Sequence, residues 1–155
     1  MTSASESNRF SIISDPTDDE VKEFQTGFET YNMEQTNGEY NSPGDWLSLV
    51  LRDHKGKIDG GILTSTIYWA QYLEELWVDE KYRGLGYGRN LVVESERLAR
   101  KNGCVASQMY TFSWQGGDFY QAVGYKLLAT YDGYVKGTTE LILSKGLDAP
   151  SERPS

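Results

Sequence analysis

The amino-acid sequence predicts an α/β fold built on one mixed sheet, and three observations carry that prediction. Strand-like and helical periodicities alternate along its 155 residues, as helices layered on a sheet require. Three extended apolar runs follow one another between Trp46 and Val78, the first two joined by a turn-like Asp-His-Lys-Gly segment. A strand, a helix and a strand then run from Gln71 to Phe112, an order that joins parallel strands by a right-handed crossover.

Taken in order, Arg9–Ser14 alternates and reads as a first strand. Asp15-Pro16-Thr17 opens a helix, because Thr17 with Glu20 three residues on fits a capping box, and Val21, Phe24, Phe28 and Tyr31 share one helical face. Asn32–Asp45 is polar, with Asn-Gly and Ser-Pro-Gly turn signals and a short helix in the expected order. Trp46–Arg52, Ile58–Trp69 and Gln71–Val78 are strands. Gly86–Asn102 is helical: Leu91, Ser95, Leu98 and Asn102 share a face beside Val92 and Ala99, Glu96 and Arg100 form an i,i+4 pair, and Asn102-Gly103 is a C-cap signal. Cys104–Phe112 is a strand and Gly116–Val123 a short helix, and Tyr125–Tyr131 pairs with Thr138–Ser144 as the last two strands. The length suits one domain with one core. Met1–Asn8 is expected to be a disordered lead-in, Arg9–Asp148 a single domain and Ala149–Ser155 a flexible tail.

The net charge of −8 is unevenly placed: up to Asp45 there are ten acids against Arg9 and Lys22, and the remainder balances. That sign speaks against a nucleic-acid partner, and no apolar stretch approaches a membrane span. The acidic half is either solvated helix surface or a rim that draws a cationic substrate. One cysteine, Cys104, reads as a buried structural thiol and agrees with a cytoplasmic location.

Arg83-Gly84-Leu85-Gly86-Tyr87-Gly88 carries the chemistry. Glycine at every second position lets main chain approach a ligand with no Cβ in the way. The helix that follows offers unpaired N–H groups and the positive end of its dipole, and Arg83 adds a cation able to bond two oxygens. Together these make an anion cradle, most naturally for phosphate. A dinucleotide site would need G-x-G-x-x-G and an acid on the next strand, and a P-loop would need Gly-Lys-Ser/Thr; neither is present. One histidine and one cysteine cannot supply a zinc site, so no metal is expected.

Leu73-Glu74-Glu75-Leu76-Trp77-Val78-Asp79-Glu80-Lys81-Tyr82-Arg83-Gly84-Leu85-Gly86-Tyr87-Gly88 resembles the acetyl-CoA signature of the GCN5-related N-acetyltransferase (GNAT) superfamily. Phe119-Tyr120-Gln121-Ala122-Val123-Gly124-Tyr125 is similar to the family's Phe-Tyr-x-x-x-Gly-Phe/Tyr segment, at the expected separation. The resemblance runs from about Trp46 to Leu143. It implies a mostly antiparallel sheet with a central, splayed parallel strand pair, helices on both faces, and acetyl-CoA as co-substrate.

By that resemblance, the N–H groups of Gly84, Leu85, Gly86, Tyr87 and Gly88 with the Arg83 region would hold the pyrophosphate. Pantetheine would pair with the main chain of Leu76, Trp77 and Val78 like an added strand, beside a bulge. The Trp77 ring itself is expected as a core aromatic on the other face. Ser113 stands where relatives often carry an asparagine touching the cofactor, which leaves a water-mediated contact. Tyr120 matches the family's proton donor to the departing thiolate, and an N–H near Val78 is the candidate oxyanion donor. Glu74 is the first choice of base: adjacent acids point to opposite faces of a strand, and Glu74 shares a face with Leu76 and Val78. Glu75 is the fallback and a water relay the alternative.

The implied reaction is acetyl transfer to a primary amine of a small molecule or protein by direct attack in a ternary complex. Phe28, Tyr31, Tyr40, Trp46, Tyr131 and Tyr134 with Glu29, Glu34 and Glu39 would suit a cationic acceptor such as a polyamine, aminoglycoside or lysine side chain. A non-catalytic acyl-CoA-binding module is the other reading, although it needs neither Tyr120 nor Glu74. A homodimer is common among relatives.

Overall fold

The computed structural model describes residues 10–40, 46–135 and 137–147, and the chain divides after Tyr40 into two compact units. The lead-in and the tail expected at the two ends lie outside the described residues. In the first unit, α1 (Asp18–Gln35) begins at the expected cap. Thr17 N–H donates to Glu20 Oε2 at 2.7 Å and Glu20 N–H to Thr17 Oγ1 at 3.3 Å, while Asp18, Asp19 and Glu20 oppose the positive pole of the helix. Val21, Phe24, Phe28 and Tyr31 are all exposed. The strand expected over Arg9–Ser14 does not form in its described part, Phe10–Ser14, where Phe10 and Ile12 are exposed. Alternation alone does not make a strand without a hydrogen-bonded neighbour, and residues 10–14 belong to none of the described strands. Nor is a second short helix found between α1 and Trp46 among the described residues; Asn41–Asp45 lie outside them.

The second unit is a six-stranded sheet with two helices. Its strands are β1 (Leu47–Arg52), β2 (Ile58–Ile67), β3 (Ala70–Val78), β4 (Ala106–Phe112), β5 (Lys126–Tyr131) and β6 (Glu140–Gly146). They lie in the order β1-β2-β3-β4-β6-β5, antiparallel throughout except for β3 and β4. The turn from β2 to β3 is the two-residue Tyr68-Trp69, both at positive φ (46° and 63°). This hairpin geometry usually takes Asn-Gly, which is why the sequence reads as one strand running on to Trp69.

Between β3 and β4 runs α2 (Tyr87–Lys101), packed against β1, β2 and β3. It stops as expected, with Gly103 at φ 85° and the Cys104 N–H returning to the Ala99 carbonyl at 2.9 Å. The core gathers Leu91 and Val92 of α2, Ile62, Leu73, Met109 and Leu143 of the sheet, and Tyr120, Val123 and Tyr125 around α3 (Gly117–Ala122). Cys104 is fully buried beside Ala99 and Leu147, as a structural thiol should be.

The buried stripe of α2 differs from the expected one: Glu96 is buried, with 2 % exposure, while Leu98 is half-buried and Asn102 exposed. A carboxylate is tolerated there because Lys145 Nζ of β6 reaches both its oxygens at 2.9 and 2.8 Å and also donates to the Val123 carbonyl. The expected partner Arg100 stands farther off at 3.6 Å. The Tyr125 hydroxyl lies 3.2 Å from Glu96 Oε1 and 2.7 Å from Ser107 Oγ, which donates to Gln71 Oε1 at 3.1 Å. This chain of polar groups links α2 to β3, β4 and β6 through the core. Replacing Lys145 by methionine leaves the Glu96 charge buried without its main partner. We expect a loss of about 3 kcal/mol in urea unfolding of Lys145→Met, most of it recovered in the double variant Glu96→Gln/Lys145→Met.

Candidate active site

The site is opened by a fork in the sheet. β3 and β4 pair only from Ala70 with Ala106 to Leu73 with Met109. Beyond that point β2 keeps β3 company to Val78, and β6 keeps β4 company to Phe112. Glu74 sits at the fork. The β2 register steps from Thr64 opposite Leu73 to Leu63 opposite Glu75, so Glu74 is the extra residue of a bulge.

The bulge advances the alternation by one residue. Leu73 on one side of it and Leu76 and Val78 on the other therefore face the same core. Glu74 does not share their face as expected, because side-chain alternation breaks at an unpaired residue. Its carboxylate instead accepts a 2.5 Å hydrogen bond from the buried Ser65 hydroxyl of β2.

The same ladder decides which main-chain groups are available. The Asp79 N–H donates to the Asp59 carbonyl at 2.8 Å. Residues of an antiparallel strand alternate between bonding the neighbour and turning away, so Trp77 and Glu75 bond β2 while the amides of Leu76 and Val78 face the open edge. The Val78 carbonyl is taken by Arg83 Nε at 2.9 Å. Trp77 thus turns its main chain away from the fork, and its ring is half exposed rather than the core aromatic expected. The core lies on the Leu76 side of the strand.

Two grooves meet at this edge. One, of about 440 Å³, is lined by Leu76, Val78, Tyr82, Arg83, Gly84, Gly86, Gly88, Arg89, Gln115, Phe119, Tyr120, Ala122 and Val123. It carries two guanidinium groups and no carboxylate. The first turn of α2 holds no acid and has no side-chain cap, so its N–H groups and dipole add to the positive field. Gly84 and Gly86 adopt φ 74° and 88° with open space above them, whereas a Cβ on Gly88 would stand 3.3 Å from the Phe119 ring. The side chains of Leu85 and Tyr87 line neither groove; Tyr87 packs edge-on against Tyr82 at 6.3 Å.

The other groove, of about 600 Å³, continues between the splayed strands. Glu74, Glu75, Trp77, Tyr110, Thr111 and Trp114 line it, and it shares Leu76, Val78, Arg83, Gln115 and Tyr120 with the first. Tyr120 therefore stands at the junction. It is buried, edge-on to Phe119 at 5.0 Å and to Tyr125 at 6.1 Å, and burial pushes its phenol up to about 12. A phenol so placed holds its proton near neutral pH and is able to donate a hydrogen bond. Its hydroxyl has no hydrogen-bond partner among the described residues.

Ser113 is not brought to the grooves. Its N–H donates to the Thr139 carbonyl at 2.8 Å and its Oγ accepts from the Thr139 N–H at 3.4 Å, tying it to the segment before β6. Gln115, two residues on, lines both grooves and was missed, as was Arg89, whose guanidinium donates to the Ala122 carbonyl at 3.0 Å. Arg89 stood next to the glycine motif and was legible there as a first-turn cation; Gln115 lies in a turn with no periodicity to place it.

Residues 45–127 match the family model described as the acetyltransferase (GNAT) domain. The chain belongs to the GNAT acetyltransferase family. It is 37% identical over 94 residues to a blasticidin-S acetyltransferase of Streptomyces morookaense, covering 60% of this chain and 69% of that one. The crystal structure of a Bacillus cereus acetyltransferase superposes with a TM-score of 0.79 at 31% identity, over 88% of this chain and 98% of that one. A Bacillus anthracis protein assigned as a streptothricin acetyltransferase, solved with acetyl coenzyme A, shares the fold at 21% identity and a TM-score of 0.60, over 71% and 67% of the two chains. The splayed pair expected of a GNAT fold is present. Among the described residues no group of acids, histidines and cysteines comes together as a metal site, and no helix is long and apolar enough to cross a membrane.

Because Gly86 holds φ 88° at the start of α2, alanine there is strained by about 1–2 kcal/mol. Gly86→Ala is expected to lower the urea midpoint accordingly and to weaken binding of coenzyme A, measured by calorimetry.

Proposed function

We propose that this protein transfers the acetyl group of acetyl-CoA to a primary amine of a small cationic molecule, by direct attack in a ternary complex. The observation that carries this reading is the opposite charge of two grooves that meet at one phenol. The groove with Arg83, Arg89 and the α2 start suits the pyrophosphate of coenzyme A, and the groove with Glu74 and Glu75 suits an ammonium. The blasticidin-S acetyltransferase relative and the acetyl coenzyme A bound to a protein of the same fold support both halves.

The unpaired amides of Leu76 and Val78 fit a pantetheine arm laid along β3 as a further strand. Acetyl-CoA supplies an activated thioester. An alkylamine with pKa about 10.4 must lose a proton, at a cost of about 4–5 kcal/mol near pH 7. Glu74, held by Ser65, is the proposed acceptor of that proton, directly or through water. The Val78 N–H is the proposed donor to the oxyanion that develops at the carbonyl. Tyr120, protonated and facing both grooves, is the proposed donor to the departing thiolate. A purely acyl-CoA-binding module would need neither the acidic groove nor a buried phenol at its mouth.

Acetyl-CoA and coenzyme A should each raise the melting temperature, while NADH and ATP should not; stabilisation by NADH alone would sink the assignment. Tyr120→Phe should lower kcat about 100-fold or more with the Kd for coenzyme A changed less than about twofold. Since Tyr120 is raised to about 12, activity that depends on its proton is retained on the acid side and lost only as pH climbs through that value. The wild-type rate profile should therefore show no fall from this group below about pH 11.

A further inference from the structure

The acidic groove contains a feature that neither the transfer chemistry nor cofactor binding uses. Trp114 lies against Phe112 with ring centroids 5.7 Å apart and planes inclined by only 16°. One face of the indole is thereby fixed on a neighbour, yet the residue is 69 % exposed and lines the groove. Phe112 is held in turn by Tyr134, edge-on at 5.0 Å, and Tyr134 by Tyr131 at 5.6 Å. A flat ring stacked on Phe112, which is itself held by a chain of two tyrosines, and otherwise exposed is a preorganised stacking platform.

Charge around the platform has one sign to satisfy. Besides Glu74, held by Ser65, the groove is lined by Glu75, whose carboxylate has no hydrogen bond or ion pair among the described residues. The single cation lining it, Arg83, spends its Nε on the Val78 carbonyl. A π face that shares a groove with a carboxylate free of partners among the described residues favours a planar, delocalised cation over a compact ammonium, because such a group stacks well and is weakly hydrated.

We propose that Trp114 is a specificity-determining residue of the acceptor groove. It selects amines that also carry a flat cation (an amidinium, a guanidinium or a protonated heteroaromatic ring), with Glu75 meeting that charge. This rests on the acetyl-transfer reading above, and the test separates the two. Acetyl transfer is measured with 4-(aminomethyl)benzamidine and with 1,5-diaminopentane, two dications of which only the first is flat. In Trp114→Ala the KM for the benzamidine rises about tenfold or more, while the KM values for the diamine and for acetyl-CoA stay within about twofold. Trp114→Phe restores the benzamidine KM to within about threefold of wild type, and Glu75→Gln raises the KM for both dications with kcat kept. Equal effects of Trp114→Ala on the two amines, or none on either, overturn the proposal, as does a Glu75→Gln variant that loses kcat with both. Calorimetric titration of the benzamidine into coenzyme A-saturated protein reads the platform without turnover. Binding that weakens in Trp114→Ala while no amine is acetylated keeps the platform and overturns the transfer reading. Transfer with amine affinity indifferent to Trp114 does the reverse.

Discussion

One extra residue in one strand organises everything else on this sheet. Glu74 has no opposite residue in the β2 ladder, and the parallel pairing of β3 with β4 ends at the residue before it. A bulge bends its strand and increases its twist, so β3 leaves with β2 while β4 stays with β6. The cost is the loss of ladder bonds along the remaining length of both strands. The return is a strip of polar main chain, at Leu76 and Val78, exposed along the wall of a groove. A fully zipped sheet would have buried those groups among its own strands and left nothing for a ligand to pair with.

The parted strands need a support that does not depend on their pairing, and the core supplies it. Leu73, Leu76 and Val78 keep one face despite the bulge, because the shift of one residue brings the apolar side chains after it into line with those before. On the far side of the fork, the chain from Glu96 through Tyr125 and Ser107 to Gln71 joins α2 to the strands that remain paired. Lys145 closes that network from β6. A buried carboxylate is a poor source of net stability but a demanding one in geometry. It fixes α2 relative to the sheet, and with it the glycine turn at the start of the helix.

Charge then sorts the two grooves. The end built from the α2 start collects Arg89 and the helix dipole, the end between the strands collects Glu74 and Glu75, and Arg83 lines both. Tyr120 lies where they meet, protonated by burial rather than by any neighbouring charge. In the proposed reaction an anionic carrier and a cationic acceptor approach from opposite sides and are kept from exchanging places by the same field.

Local chemistry made much of this legible in the sequence. The capping box at Thr17, the C-cap at Gly103, the glycine turn and the strand–helix–strand order all depend on contacts within a few residues, and each stands where the sequence puts it. Periodicity misled where a partner was required. Phe10–Ser14 alternates but forms no strand, and Glu96 reads as the partner of Arg100, whereas Lys145, 49 positions on, is the cation that reaches its carboxylate. The site divides in the same way. Residue type and spacing alone placed a glycine-rich turn beside a cation at the start of a helix, and the resemblance to the GNAT superfamily singled out Glu74, Glu75 and Tyr120 as candidates. Tertiary structure decided which way each one points. A single unpaired residue reverses the alternation after it, and a turn such as Trp114-Gln115 takes its direction from the strand and the helix it joins.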